Sequence, residues 1–121
     1  MMQHSIKSLP RSTSIGHQTI RAAFRLLTTT QDPVPYSEIR RYVLATVPMS
    51  MWDETPTKAG RQRWENQLGF HSIWCVEAGL LQKNRASGWI LTPFGKDRFL
   101  HASEQEFFDT YWLAHQKRRA G

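Results

Sequence analysis

The stretch "RQRWENQLGFHSIWCVEAGLL", residues 61 to 81, constrains the fold more than any other part of the sequence. Its apolar residues recur every three or four positions, a spacing typical of one buried face of an α-helix. Gly79 is a residue type that commonly ends a helix, because glycine adopts a positive φ at little steric cost. We therefore predict a helix that begins near Lys58, ends at Gly79 and buries one stripe: Trp64, Leu68, His71, Cys75 and Ala78.

Two further amphipathic segments precede this helix. The first is predicted to begin near His17, with apolar positions at helical spacing: Ile20, Ala23, Phe24 and Leu27. The second is predicted to start with Ser37 as its N-cap, to end before Pro48 and to bury four residues: Ile39, Val43, Leu44 and Val47. The segment between Pro48 and Gly60 has the composition of a loop, in which we expect Trp52 to fold back onto the domain.

The residues after Gly79 predict a β-hairpin. In "LLQKNRASGWILT" two short apolar runs flank a turn-rich middle, which places Lys83 and Arg85 at a basic tip. Thr92 and Pro93 are a typical cap and first residue of the next helix. The order helix, helix, helix, hairpin, helix is that of a winged helix-turn-helix, a mainly α fold with a small β-hairpin wing.

The last helix is predicted from a capping box formed by Ser103 and Glu106. It bears aromatic residues that are too apolar to face water, so they pack either on the domain or on a second subunit. The second alternative is a homodimer through Phe107, Phe108, Tyr111 and Trp112. The predicted organisation is a basic flexible tail at 1–16, a winged-helix domain at 17–100, and a C-terminal aromatic helix with a basic end at 101–121.

The charge of the chain favours a polyanionic partner. Sixteen Lys and Arg face ten Asp and Glu, which gives a net charge of +6, and such a surplus attracts nucleic acid or anionic membrane surfaces. No apolar run has the length of a membrane span or of a signal peptide, and the single cysteine excludes an intramolecular disulfide. We therefore expect a cytoplasmic protein that does not enter a membrane.

Residues 64–95, "WENQLGFHSIWCVEAGLLQKNRASGWILTPFG", resemble the winged-helix domain at the N-terminus of Mrr-type restriction endonucleases. The resemblance implies a DNA-binding module that targets a separate nuclease domain. The family usually has arginine where this chain has Gln67, and tryptophan where it has Phe70. The matching positions are Glu65 and Asn66, Phe70, Ala78, Gly79 and Leu80, Trp89, and Thr92 with Gly95.

No catalytic pattern accompanies this module. The nucleases in question place an acidic residue or glutamine two positions before a lysine, so that both groups meet one metal-bound water. The residues two before the five lysines are Ser5, Pro56, Leu81, Phe94 and His115. The five histidines lack the spacing of a metal site, and Cys75 lies on the buried stripe of its helix. We predict a chain without enzymatic activity, metal or cofactor.

The third helix presents a second face, with Gln62, Glu65, Asn66 and Gly69, that is either a plain solvated surface or a surface that reads bases. Cations on both sides of it favour the second alternative, because a groove is flanked by phosphates. The predicted contacts to double-stranded DNA are Lys58, Arg61, Gln62, Arg63, Asn66, Gln67, Lys83 and Arg85. The predicted role is a targeting domain of a restriction or defence system that joins a nuclease domain or partner subunit. There are two alternatives: a free-standing transcriptional regulator, and a protein-interaction module of a defence or repair complex.

Overall fold

The computed structural model describes residues 5–120 and is mainly helical, with one two-stranded antiparallel sheet. A single 3-10 turn at Ile6–Ser8 precedes the first α-helix. The elements are α1 (Arg11–Leu27), α2 (Tyr36–Thr46), α3 (Met51–Glu54), α4 (Arg63–Glu77), β1 (Leu81–Asn84), β2 (Gly88–Leu91), α5 (Pro93–His101) and α6 (Glu104–Ala120).

The core forms where α1, α4 and α6 pack together. The predicted stripe of α4 is largely confirmed, since Trp64, Leu68, His71 and Cys75 are fully buried. The crossing of α1 over α4 is so close that a Cβ placed on Gly16 would lie 2.2 Å from Cε1 of His71. Glycine at this position therefore lets the two helices approach each other.

The first helix starts six residues earlier than the sequence predicts. Residues 11–16 belong to α1 and not to a flexible tail, and Ile15 and Gly16 are buried. The cause is tertiary: Arg11 Nε donates a 3.0 Å hydrogen bond to Oδ1 of the buried Asp53. The prediction of a flexible tail at 1–16 is therefore wrong for residues 11–16, while residues 1–4 lie outside the described residues.

The segment predicted as a loop contains the short helix α3. Ser50 and Asp53 form a capping box, in which each side chain accepts from the other residue's backbone N–H. Trp52 packs against the core as predicted, and the guanidinium of Arg63 lies 4.7 Å from its ring centroid. In α2 the predicted burial of Ile39, Val43 and Val47 is confirmed, but Leu44 is 40% exposed. The helix begins at Tyr36 with Pro35 at the N-cap position, so the prediction of Ser37 as N-cap is wrong.

Helix α4 begins at Arg63, with Gln62 as its N-cap, so the predicted start near Lys58 is wrong. Residues 57–61 form a turn instead, closed by a 2.7 Å hydrogen bond from Thr57 N to Arg61 O. Gly60 adopts a φ of 88° in this turn, a conformation that other residues rarely adopt. Lys58 and Arg61 therefore lie on a loop in front of the helix.

The predicted hairpin is confirmed, with the register Leu81 to Leu91 and Asn84 to Gly88. Its second strand also pairs with the connection between α1 and α2, because Val34 and Trp89 exchange two backbone hydrogen bonds of 2.9 Å. The caps predicted after the hairpin are confirmed as well: Thr92 accepts from Gly95 N, and Ser103 and Glu106 cap α6.

The aromatic residues of α6 pack into the chain's own core. Phe107, Phe108 and Tyr111 are 0% exposed, so these side chains cannot form a homodimer interface. Helix α6 is therefore part of the same core as α1 and α4, and not a separate segment after the domain. Trp112 is half-buried, and its ring stacks on that of Phe108 with 5.3 Å between centroids.

None of the helices within residues 5–120 combines the length and hydropathy needed to cross a lipid bilayer.

Candidate nucleic-acid interface

The hairpin, the first two turns of α4 and the start of α2 enclose an open groove of about 550 Å³. The predicted residues Arg61, Lys83 and Arg85 line it together. Arg61 and Arg85 are exposed, and none of the three forms a salt bridge with a carboxylate among residues 5–120. The structure thus brings part of the predicted basic set to one concave surface.

Lys83 fixes the hairpin against α4. Its Nζ donates a 2.7 Å hydrogen bond to Ser72 Oγ, which in turn donates to the carbonyl of Gly69 at 2.7 Å. The ammonium also lies 4.9 Å from the ring centroid of Trp89. Burial and the nearby charge of Arg61 lower the pKa of Lys83. An anion in the groove would oppose this shift by stabilising the ammonium.

Glu65 lies on the α4 side of the groove, and one of its two carboxylate oxygens is already hydrogen-bonded. Its Oε2 accepts a 2.6 Å hydrogen bond from the Tyr36 hydroxyl and a 3.2 Å bond from Arg40 Nε. Burial and the Glu65 carboxylate raise the pKa of Tyr36, so this hydroxyl stays protonated and donating. The other oxygen, Oε1, has no partner among the described residues, although the side chain is only 15% exposed.

On the face of α4 that was predicted to contact bases, some polar side chains already form hydrogen bonds and others do not. The side-chain oxygen of Gln62 accepts a 2.7 Å hydrogen bond from Trp64 Nε1, which leaves only its NH₂ group for a ligand. The side-chain amide of Asn66 has no hydrogen-bond partner within residues 5–120, and the residue is partly exposed. A Cβ on Gly69 would meet only Arg61 Nη1, at 3.9 Å, so the surface here is open.

Five of the eight predicted residues do not line the groove: Lys58, Gln62, Arg63, Asn66 and Gln67. With about 3.6 residues per turn, Arg63 and Gln67 fall on the flank of α4 opposite Glu65 and Gly69. Arg63 stacks on Trp52 there. Lys58 is exposed on the preceding loop and does not line the groove. These residues could meet only a ligand that is broad enough to extend past the groove.

Sequence reasoning missed several residues at this surface. Tyr36 and Asn84 line the groove, and Asn84 Oδ1 accepts from the backbone N–H groups of Ala86 and Ser87 to hold the hairpin turn. The outer face of α4 is also more apolar than predicted: Phe70, Ile73 and Val76 are 45%, 47% and 41% exposed. Their three-residue spacing was a visible signal, since it lies outside the buried stripe.

The buried titratable groups His17, Cys75 and Tyr111 lie in the core and do not line the groove. Burial raises the pKa of the Cys75 thiol well above its usual range, so the thiol is protonated and unreactive. His17 Nδ1 lies 2.8 Å from the Tyr111 hydroxyl, and its Nε2 is 3.3 Å from Glu104 Oε1 without the alignment of a hydrogen bond. In the described part of the chain, no three His, Cys, Asp or Glu side chains are grouped as a metal site would require.

Comparisons with known proteins found no matching protein-family model, no matching curated protein and no matching solved structure.

Proposed function

We propose that the chain is a non-catalytic DNA-binding module of the winged-helix type. In this proposal α4 docks in the major groove of double-stranded DNA, and the hairpin acts as the wing that rests on the phosphate backbone. The observation that supports it best is the groove beside the free face of α4, which is lined by Arg61, Lys83 and Arg85 without a carboxylate partner. Cations without a carboxylate partner are available to bind the phosphates of a polyanion.

The shape of α4 agrees with this role. A major groove about 12 Å wide admits one α-helix, provided that the face entering it is free of obstruction. At Gly69 the helix offers open surface, and Asn66 beside it presents an uncommitted amide of the kind that pairs with adenine. Arg61, Arg85 and Lys58 would contact phosphates on one side. Arg63 and Gln67 would face the opposite wall of the DNA groove.

The proposed cellular role is the targeting domain of a restriction or defence system that acts in the cytoplasm with a nuclease domain or partner subunit. It is supported by the resemblance of residues 64–95 to the N-terminal domain of Mrr-type endonucleases. A free-standing transcriptional regulator would use the same contacts to DNA. The two roles differ in whether a nuclease copurifies with the chain.

The test is duplex binding measured by fluorescence anisotropy over a range of salt concentrations. We expect log affinity to fall linearly with log salt, with a slope that decreases by about one unit for each phosphate contact removed in Arg61→Ala and Arg85→Ala. Arg119→Ala is the matched control, because this exposed arginine lies in the last turn of α6, outside the groove. Absence of binding at about 50 mM salt, or equal slopes for all four proteins, would refute the proposal.

A second candidate function is a protein-interaction module. The observation in its favour is the row of Phe70, Ile73 and Val76 on the outer face of α4, since clustered exposed apolar residues often mark protein contacts. This function predicts no salt-dependent duplex binding, and it predicts that Ile73→Asp abolishes association with a copurifying protein. Retained DNA affinity in the wild type together with loss in Arg61→Ala would exclude it as the main function.

A further inference from the structure

We propose that the groove between the hairpin and α4 is a binding site for a single unpaired nucleotide whose base has an exocyclic amino group. This site shares Arg61 and Arg85 with the proposed duplex contacts and adds Glu65 and the hairpin tip. Its volume of about 550 Å³ is within the range of small-molecule sites and is far larger than a phosphate ion needs. The groove therefore has room for an organic group as well as an anion.

The cations of the groove specify one end of the ligand. Arg85 on the hairpin and Arg61 on the loop before α4 are exposed and have no ion-pair partner among the described residues. Both guanidinium groups can bind a phosphate through two parallel hydrogen bonds. Lys83 adds a third positive charge whose position is fixed by Ser72. A phosphate is the group that best matches this end.

Glu65 specifies a second group of the ligand. Its Oε2 is saturated by Tyr36 and Arg40, whereas Oε1 is an acceptor without a partner inside residues 5–120. A carboxylate oxygen repels a phosphate, so the part of the ligand beside it must donate a hydrogen bond instead. Cytosine N4 and adenine N6 are such donors, and a nucleotide joins one of them to a phosphate. Uracil and thymine present a carbonyl at the corresponding position and lack the donor.

The walls of the groove include two aromatic rings that pack on each other, of which Trp89 is only 5% exposed. The rings are those of Tyr36 and Trp89, with 5.6 Å between their centroids. At the hairpin tip Ala86 and Ser87 are small, and Gly88 has backbone so close to Val34 that a Cβ would lie 2.0 Å from the Val34 carbonyl oxygen. The hairpin tip therefore adds no large side chain to the groove at residues 86–88. An unpaired nucleotide enters such a groove without the cost of leaving a base pair and its stack.

The experiment is a ¹⁵N–¹H NMR titration of the whole chain with deoxycytidine monophosphate, deoxyuridine monophosphate and deoxycytidine. The first two ligands differ at the position that faces Glu65, and the third lacks the phosphate. We expect deoxycytidine monophosphate to bind about tenfold more tightly than either of the others, with shifts at the amides of Gly69 and residues 83–88. Equal affinities, no binding, or shifts confined to other surfaces would overturn the inference.

Glu65→Gln is the decisive variant. Its side-chain oxygen keeps the hydrogen bonds from Tyr36 and Arg40, while its NH₂ replaces the free acceptor with a donor. The preference should therefore be lost or reversed in favour of deoxyuridine monophosphate. Glu54→Gln, an exposed carboxylate on α3 outside the groove, is the matched control and should leave the preference unchanged. An unaltered preference in Glu65→Gln would contradict the assignment of Oε1, and the wild-type comparison decides the matter if this variant does not fold.

The outcomes for the two proposals are separable. If the wild-type protein binds duplex DNA in a salt-dependent way but does not bind deoxycytidine monophosphate, only the proposed nucleotide site is overturned. Nucleotide selectivity without duplex binding would overturn only the DNA-docking proposal.

Discussion

Lys83 on the hairpin donates a 2.7 Å hydrogen bond to Ser72 on α4, and this bond sets the position of the basic hairpin relative to the helix. Between the two residues α4 ends at Glu77, and the chain turns at Gly79, which has a φ of 80°. Because the ammonium also packs on Trp89, the lysine is held from two sides. Lys83 is therefore part of the groove's framework as well as a source of charge.

Lys83→Met should destabilise the protein, since methionine keeps the packing on Trp89 but cannot donate to Ser72. We expect a loss of about 1 kcal/mol in the free energy of unfolding, at the low end for a hydrogen bond to a charged group because the site is partly exposed. Urea denaturation measures it. Lys96→Met, at an exposed position of α5, is the control and should have little effect. Equal stability of the two variants would show that the hydrogen bond to Ser72 is not maintained in solution.

Gly16→Ala should strongly disrupt the core. The added Cβ would lie 2.2 Å from Cε1 and 2.4 Å from Nδ1 of His71, and that ring is fully buried, so either α1 or α4 must move. Overpacking of this kind costs roughly 1–3 kcal/mol and sometimes more. Thermal unfolding followed by circular dichroism measures the cost. A melting temperature equal to that of the wild type would mean that the two helices are less closely packed than described.

Gly69→Ala should have the opposite effect on stability. A Cβ here meets only the flexible end of Arg61 at 3.9 Å, and alanine is favoured over glycine inside a helix by about 1 kcal/mol. If α4 enters the major groove as proposed, the added methyl group should weaken duplex binding even though the fold is more stable. Denaturation and anisotropy on the same samples provide both values. Unchanged duplex affinity would place the DNA elsewhere on the protein.

The folded protein should become less stable as the pH falls below about 6.5, because two buried histidines resist protonation. Burial lowers the pKa of His17 to about 4, a shift opposed by Glu104 and reinforced by Arg21. Burial also lowers the pKa of His71 to about 3. Histidine in the unfolded chain has a pKa of about 6.5, so below that pH the unfolded state binds more protons. The contribution of the two neutral histidines to the free energy of unfolding is thus fully present above pH 6.5 and decreases as the pH falls towards 4. Below its folded pKa, the contribution of His17 changes no further.

The size of this effect follows from the shift of His17. At about 1.4 kcal/mol per pKa unit, the loss from this residue alone is of the order of 3 kcal/mol between pH 6.5 and 4. The free energy of unfolding, measured in urea at a series of pH values, should have a smaller slope against pH in His17→Gln than in the wild type. His101→Gln serves as the control, because His101 is exposed. Parallel curves for His17→Gln and the wild type would contradict the prediction.

The sequence predicted best those elements that depend on neighbouring residues. The buried stripe of α4, Gly79 after it, the β-hairpin and the capping box at Ser103 all rest on contacts within a few positions. The capping box of Ser50 and Asp53 was equally local, but the loop-like composition around it obscured the signal. Short helices are stabilised more by tertiary contacts than by propensity, and composition is a poor guide to them.

The features that the sequence could not predict depend on contacts between residues that are far apart along the chain. Arg11 and Asp53 are 42 positions apart, and their contact keeps the start of α1 helical despite its Ser and Thr residues. Tyr36 and Glu65 are 29 positions apart, so nothing local indicates that one oxygen of this carboxylate is already occupied. The choice between core and dimer for the aromatic residues of α6 likewise required the position of α1.

The two hydrogen bonds between Val34 and Trp89 join the α1–α2 connection to the hairpin as a third, single-residue strand. Amide groups tied in this way exchange with solvent only when the paired segments separate together. The connection and the hairpin should therefore open as one cooperative unit, visible as matching hydrogen-exchange rates at residues 34 and 89. An insertion near Val34 would consequently move the hairpin relative to α4 and change the width of the groove. None of the basic residues that line the groove would be altered.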